Sequence, residues 1–228
     1  MAYAKTMSML RALTWMSPAL GLVVYLFSSA AQAECVGLPE LDADAQRLSQ
    51  LGRSFKTNVV PQGKTERYGH AEVLINAPMA RVRQQVTDYA HYKEFVPDKF
   101  HNARVIGKDR MQGTTDLYFA IDVMKGLIKL TNTLRFGAPR VLGPGFEVVE
   151  GTFVRGTNVK DANIILTMRE VFPNFTVLKI DLLILPTIPA PQSAIDEELR
   201  DAAQNAVDAI HDRAQGHNRV VPLITGSN

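Results

Sequence analysis

Five histidines, His70, His91, His101, His211 and His217, are the side chains best suited to metal ligation or to proton transfer near neutral pH. No two of them stand at the spacing of metal ligands, and His211 and His217 fall six residues apart across the end of a predicted helix. A general base needs a reacting proton within reach and a group that orients it, and His91 has neither a nucleophile nor an acid at a recognisable spacing. The chain carries no Gly-x-Ser-x-Gly elbow and no phosphate loop; Gly143-Pro144-Gly145 reads as a turn. Asn174-Phe175-Thr176 matches a glycosylation acceptor at an apparent hairpin turn. Cys35 is the only cysteine, which excludes an intrachain disulfide. Asp42-Ala43-Asp44 and Asp196-Glu197-Glu198 read as solvated helix faces. The expectation is therefore no catalytic residue, no metal and no cofactor. An enzyme would have to draw on Tyr118, Asp122, Thr133 and Glu150, and then only if they point inward.

The densest group of aromatic residues lies in the stretch DYAHYKEFVPDKF, from Asp88 to Phe100. Tyr89, Tyr92 and Phe95 recur every three residues, so short helical turns bring their rings to one side. Asp88 can cap the second turn, and Pro97 stops it and aims the chain into the next strand. This predicts a structural corner that closes one end of the fold, with His91 outside any chemistry; the second reading is that the corner also lines a ligand entrance.

The elements that hold this corner follow from periodicity. Residues 39–51 suit a short amphipathic helix, with Leu41, Ala45, Leu48 and Leu51 on one face, Pro39 in the first turn and Gly52 as the stop. Residues 67–75 read as a strand. Asn76 is placed to cap the following helix and Pro78 to occupy its first turn, with Met79, Val82, Val86 and Tyr89 sharing a face. From Ala103 onward the period becomes two. Leu117, Phe119, Ile121 and Val123 alternate with Tyr118, Ala120, Asp122 and Met124, and alternation alone does not say which set is inside. Further strands are expected over 128–135, 146–154, 163–170 and 175–185. Their short, turn-rich connections predict an antiparallel meander. In MKGLIKLTNTLRF apolar residues face inward and Lys125, Lys129 and Arg135 outward; the second reading of this stretch is an edge that transiently touches an anionic membrane surface. Residues 193–214 carry the strongest helix pattern, with Ser193 as cap, acid in the N-terminal half and a stripe of Ile195, Leu199, Ala202, Ala203, Ala206, Ile210 and Ala214, widened by Val207.

The N-terminus has the layout of a secretory signal peptide: Lys5 and Arg11, an apolar run broken by Pro18, and Ala31-Gln32-Ala33 before the cut. Removing residues 1–33 takes away two basic residues and no acid. That leaves 23 basic against 23 acidic residues, so the formal charge of +2 belongs to the precursor and the mature chain has no charge bias toward nucleic acid. The expected organisation is a signal peptide over 1–33, an extension with a short helix over 34–66, one domain over 67–214 and a tail over 215–228, acting in the periplasm or outside the cell.

The run VLINAPMARVRQQVTDYAHYKEFVPDKFHNARVI resembles the opening of the START-like, helix-grip superfamily (SRPBCC), which includes polyketide cyclase-type proteins, lipid-transfer domains and a coenzyme-Q-binding branch. The resemblance rests on the step Asn76-Ala77-Pro78, on Val82 and Val86, on the corner Asp88, Tyr89, Tyr92, Phe95 and Pro97, and on the strand that begins ARVI. It implies an α+β fold in which a curved antiparallel sheet wraps around the long C-terminal helix, and it places this chain near the coenzyme-Q-binding branch.

Sheet and helix would then enclose an apolar cavity. Ala202, Ala203, Ala206 and Ala214 are small where a filled core would favour leucine or isoleucine, which leaves room for a ligand. The candidate cavity residues are Tyr92, Phe95, Tyr118, Phe119, Ile195, Leu199, Ala202, Ala203, Ala206 and Ile210. The reading is an exported binding or transfer protein for a lipid, an isoprenoid quinone or another hydrophobic small molecule. Its alternatives are a cyclase/dehydratase-type enzyme on the same fold and an interaction module without a ligand.

Overall fold

The computed structural model describes residues 41–95, 100–123 and 128–216, without the side chains of Phe95, Phe100, His101, Asp122, Val123 and Ile128. The expected signal peptide, Cys35, Pro39, Pro97, Lys125 and His217 lie outside the described residues.

Chain order is α1 (Ala43–Leu51), β1 (Phe55–Val59), β2 (Tyr68–Ile75), α2 (Met79–Val86), a 3-10 turn (Tyr89–His91), α3 (Tyr92–Phe95), β3 (Phe100–Asp109), β4 (Thr114–Val123), β5 (Ile128–Phe136), β6 (Arg140–Gly143), β7 (Phe146–Thr157), β8 (Val159–Phe172), β9 (Phe175–Pro186) and α4 (Gln192–Ala214). The strands form one antiparallel nine-stranded sheet in the order β1-β2-β9-β8-β7-β5-β4-β3, with β6 paired to β7. From β3 to β9 it is the expected meander. β2 closes it from the other side, pairing Gly69 with Leu182 and Ile75 with Thr176. Register shifts in the β3–β4, β5–β7 and β8–β9 pairs add local twist, which helps a wide sheet to curve. The result is the α+β helix-grip fold expected from sequence.

Two strands were not expected. β1, read as part of an extension, pairs with β2 as an edge strand; Phe55 is 39% exposed and the segment shows no alternation to read. β6 is four residues long and mostly exposed.

Several end signals also behave differently. α1 begins at Ala43, capped by the Asp42 carboxylate on the Ala45 amide at 2.9 Å; it ends, as expected, at Gly52, in the left-handed conformation with φ 61°. Its Leu51 is exposed while Leu41, Ala45 and Leu48 are buried against Val177. Neither Asn76, Asp88 nor Ser193 caps a helix with its side chain. Pro78 and Pro191 occupy the cap positions themselves, with φ of −65° and −59°, so each helix starts one residue after a proline. Asp88 is engaged elsewhere: its carboxylate takes His91 at 2.7 Å and Arg213 at 3.0 Å.

α4 crosses the inner face of the sheet. Ala203, Val207, Ala209, Ile210 and Ala214 join the main core with Ala71, Val73 and Ile180. Gly69 of β2 is where the two backbones meet: a Cβ there would lie 2.2 Å from the Leu199 carbonyl carbon and 2.6 Å from the Arg200 nitrogen. Arg213, near the far end of the helix, reaches Asp88, Gln85 at 3.0 Å and Glu94 at 3.4 Å, and so ties α4 to the aromatic corner. Asp196 is not on a solvated face. It is 6% exposed and accepts from Arg67 at 3.1 Å and Gln192 at 2.8 Å.

Candidate functional site

Between α4 and the inner face of the sheet lies a cavity of about 200 Å³. Its wall is set by the strand alternation. β4 contributes Phe119 and Ile121, β5 contributes Leu130, Asn132 and Leu134, and β8 and β9 contribute Ile164, Leu166, Ile180 and Leu182. The helix side is Ile195, Leu199, Ala202, Ala206 and Ile210. Among the described lining residues only Tyr92, Asn132 and Glu198 carry polar side-chain atoms.

One end of the cavity is the aromatic corner. The Tyr92 ring stands edge-on to Tyr89, centroids 5.4 Å apart, and lies 6.2 Å from Phe136 and 6.4 Å from Phe119. Its hydroxyl donates to the Val86 carbonyl, so the ring is pinned to the end of α2. Burial alone pushes the neighbouring Tyr89 hydroxyl up to about 12. The other end is bordered by Pro186, Ile188, Ala190 and Pro191, the connection from β9 to α4. The β7–β8 turn braces that rim. Asn158, at φ 62°, accepts from the Thr187 amide at 3.0 Å through its carbonyl and donates to the Lys129 carbonyl at 3.1 Å through its side chain.

Of the ten residues expected to face a ligand, Tyr92, Phe119, Ile195, Leu199, Ala202, Ala206 and Ile210 are brought together on this wall. Two are not. Tyr118 points to the opposite face of β4, where Arg104 stacks over its ring at 5.5 Å. Ala203 is fully buried and belongs to the core that α4 shares with the sheet; its small size serves close packing, as does that of Ala214. The side chain of Phe95 lies outside the described residues. The polar residues an enzyme would have needed are also turned away. Thr133 pairs across from Tyr118 on the outer face, and Glu150 lies near Lys64 at 4.0 Å and Arg140 at 3.5 Å. Asp122 has no described side chain.

Asn132 was not singled out from sequence. It is 2% exposed, and its side-chain oxygen has no hydrogen-bond partner. In the alternation of Ile128, Leu130, Asn132 and Leu134 it occupies an inward position, and that is the signal that marks it.

A charged cluster sits on the outer face, away from the cavity. His70 contacts Asp181 at 2.6 Å and Glu72 at 3.8 Å, while Glu72 also takes Arg47 and, at 3.2 Å, Lys179. Among the described residues no group of three histidine, cysteine or acidic side chains is placed to hold a metal ion. Burial disfavours the charge on His70, but hydrogen bonds to Asp181 and Glu72 outweigh it and raise its pKa to about 9. Burial likewise opposes the charge on Glu72, yet His70, Arg47 and Lys179 bring it down to about 2. The pH dependence follows in sign. The His70 contribution is complete below its ordinary 6.5 and is lost as pH rises through 9. The Glu72 contribution is complete above its ordinary 4.5 and is lost as pH falls through 2. From this cluster, stability is expected to peak between these two ordinary values and to fall by roughly 2–3 kcal/mol toward pH 10. Urea unfolding at about pH 6 and pH 10 checks this. His70→Asn should flatten the alkaline limb; an unchanged limb would refute the assignment.

No protein-family model matches the sequence, and no curated protein matches it. Solved structures do. A START superfamily protein from Mycobacterium smegmatis superposes with a TM-score of 0.55 at 12% identity, covering 65% of this chain and 97% of that one. A STAR-related lipid transfer protein from Xanthomonas axonopodis gives 0.57 at 13% identity, covering 71% and 92%. Human STARD10 gives 0.56 at 12% identity, covering 79% and 81%. At these identities the likeness is one of fold: the chain has a START-like fold.

Proposed function

We propose that this chain is an exported binding or transfer protein for a hydrophobic small molecule, held between the inner face of the sheet and α4. The observation that carries the proposal is the cavity itself, whose described wall is hydrocarbon but for Tyr92, Asn132 and Glu198. Apolar enclosure of this kind favours a ligand that leaves water at little cost. Its volume of about 200 Å³ lies below the 300–1,000 Å³ usual for drug-sized ligands. That suits a single hydrocarbon chain, one isoprenoid segment or a compact ring system better than a two-chain lipid. Two of the proteins that share this fold, a START superfamily protein and a lipid transfer protein, point the same way. Export rests on the leader-like residues 1–33, and a quinone ligand on the resemblance of the corner to the coenzyme-Q-binding branch. Against the enzyme reading stand Tyr118, Thr133 and Glu150, all on the outer face.

Native mass spectrometry of protein recovered from the extracytoplasmic fraction of its own host tests both halves of the proposal. The expected result is a chain that starts at or close to Glu34 and carries added mass from a bound apolar molecule. Ala206→Leu is expected to cut that occupancy severalfold while changing unfolding free energy by less than about 1 kcal/mol, because new methyl groups enter open space. In a filled core the same change costs about 1–3 kcal/mol. A clean mass with no uptake of apolar probes, or a large loss of stability in the leucine variant, would remove the cavity reading.

A further inference from the structure

Asn132 sits on the cavity wall, and its buried side-chain oxygen has no hydrogen-bond partner. Its neighbours along the inner face of β5 are Leu130 and Leu134. Across the sheet it pairs with Phe119 on β4 and Gly156 on β7, neither of which has a hydrogen-bonding side chain. The hydroxyl of Tyr92, which also lines the cavity at its corner end, already donates to Val86. A buried amide oxygen left unmatched is costly, and a protein of ordinary economy would place leucine at such a position. The cost is recovered when a ligand donates to it.

Resting on the carrier reading above, we infer that the ligand bears a hydroxyl group, which it donates to the Asn132 side-chain oxygen from within the apolar cavity. A hydroxyl both donates and accepts, so it matches either end of the amide. A pure hydrocarbon leaves the oxygen unmatched. The carbonyls of an oxidised quinone cannot donate to it. A carboxylate would bring a charge into a hydrocarbon wall that also carries Glu198. The ligand class is therefore a long-chain, isoprenoid or polycyclic alcohol.

The test uses two isomers of one composition, 1-nonanol and octyl methyl ether, titrated by calorimetry into the mature chain and into Asn132→Leu. The ether has an oxygen but no donor. The preference for the alcohol over the ether is expected to be about tenfold greater in the parent protein than in the leucine variant. The ligand-free leucine variant should also melt higher than the parent, since it removes an unmatched polar group without leaving a hole. Asn132→Ala, which deletes the amide without adding bulk, should show the same loss of preference. If both probes bind and the preference is equal in parent and variants, the inference is overturned while the carrier reading stands. If neither probe binds any of the proteins, the carrier reading falls and takes the inference with it.

Discussion

Tyr92→Ala is expected to cost the ligand-free protein about 3–5 kcal/mol, the range for removing a large buried aromatic ring. The ring is 7% exposed and meets Tyr89, Phe119 and Phe136, so its loss leaves a hole bounded by three aromatic side chains. The hydroxyl contributes separately by holding the Val86 carbonyl at the end of α2. Tyr92→Phe keeps the ring, leaves that carbonyl unmatched and should cost about 1–2 kcal/mol. His91→Ala, one residue earlier, removes an exposed imidazole whose contact with Asp88 lies at the surface, and should leave stability and ligand uptake nearly unchanged. Denaturant unfolding of the three variants orders them. An alanine variant at Tyr92 that loses less than about 1 kcal/mol would mean that the corner does not hold the fold.

Gly69→Ala is the second large effect. One methyl group would have to occupy space 2.2–2.6 Å from backbone atoms of Leu199 and Arg200. No side-chain rotation relieves this, because the obstacle is the helix backbone, so α4 as a body must lift from β2. Overpacking usually costs about 1–3 kcal/mol; here the loss should reach at least the upper end of that range. Lifting α4 also widens the space between helix and sheet, so retention of apolar ligands should fall together with stability. Melting temperature and hydrogen exchange along α4 report the two consequences. Normal protection of α4 amides in the alanine variant would show that the contact is looser than these distances require.

The two substitutions mark what a sequence can and cannot disclose. The corner was legible because Tyr89 and Tyr92 carry their own spacing, and α4 because its stripe persists over 23 residues. Meander strands announced themselves by alternation, but alternation has two solutions. β4 buries Leu117 and Phe119 on one side and Ala120 on the other, so Tyr118 and Phe119 both stand as cavity candidates in the sequence, and only the neighbouring strands and helix select Phe119. The helix stripe was similarly wider than the cavity. Ala202 and Ala206 line the cavity while Ala203, one position on from Ala202, is buried in the core that α4 shares with the sheet. Glycine at 69 reads as an ordinary strand residue in YGHAEVLI; only a partner 130 positions later makes it indispensable. Proline overrode the polar caps at both Pro78 and Pro191, since its ring sets the backbone angle that the cap residue would otherwise supply.

The pairing of β2 with β9 also sets an order of events. Partners such as Ile75 and Thr176 are about 100 residues apart along the chain, and closing so long a loop is entropically costly. β2 is made early and has no inner neighbour until β9 follows it. The inner face of the meander has no cover until α4, the last of the described elements, comes off the ribosome. The cavity is thus the latest part of the molecule to assemble during synthesis. A chain halted before Gln192 would present the apolar face of the sheet bare, and so would be a substrate for chaperones and proteases rather than a smaller version of the same protein.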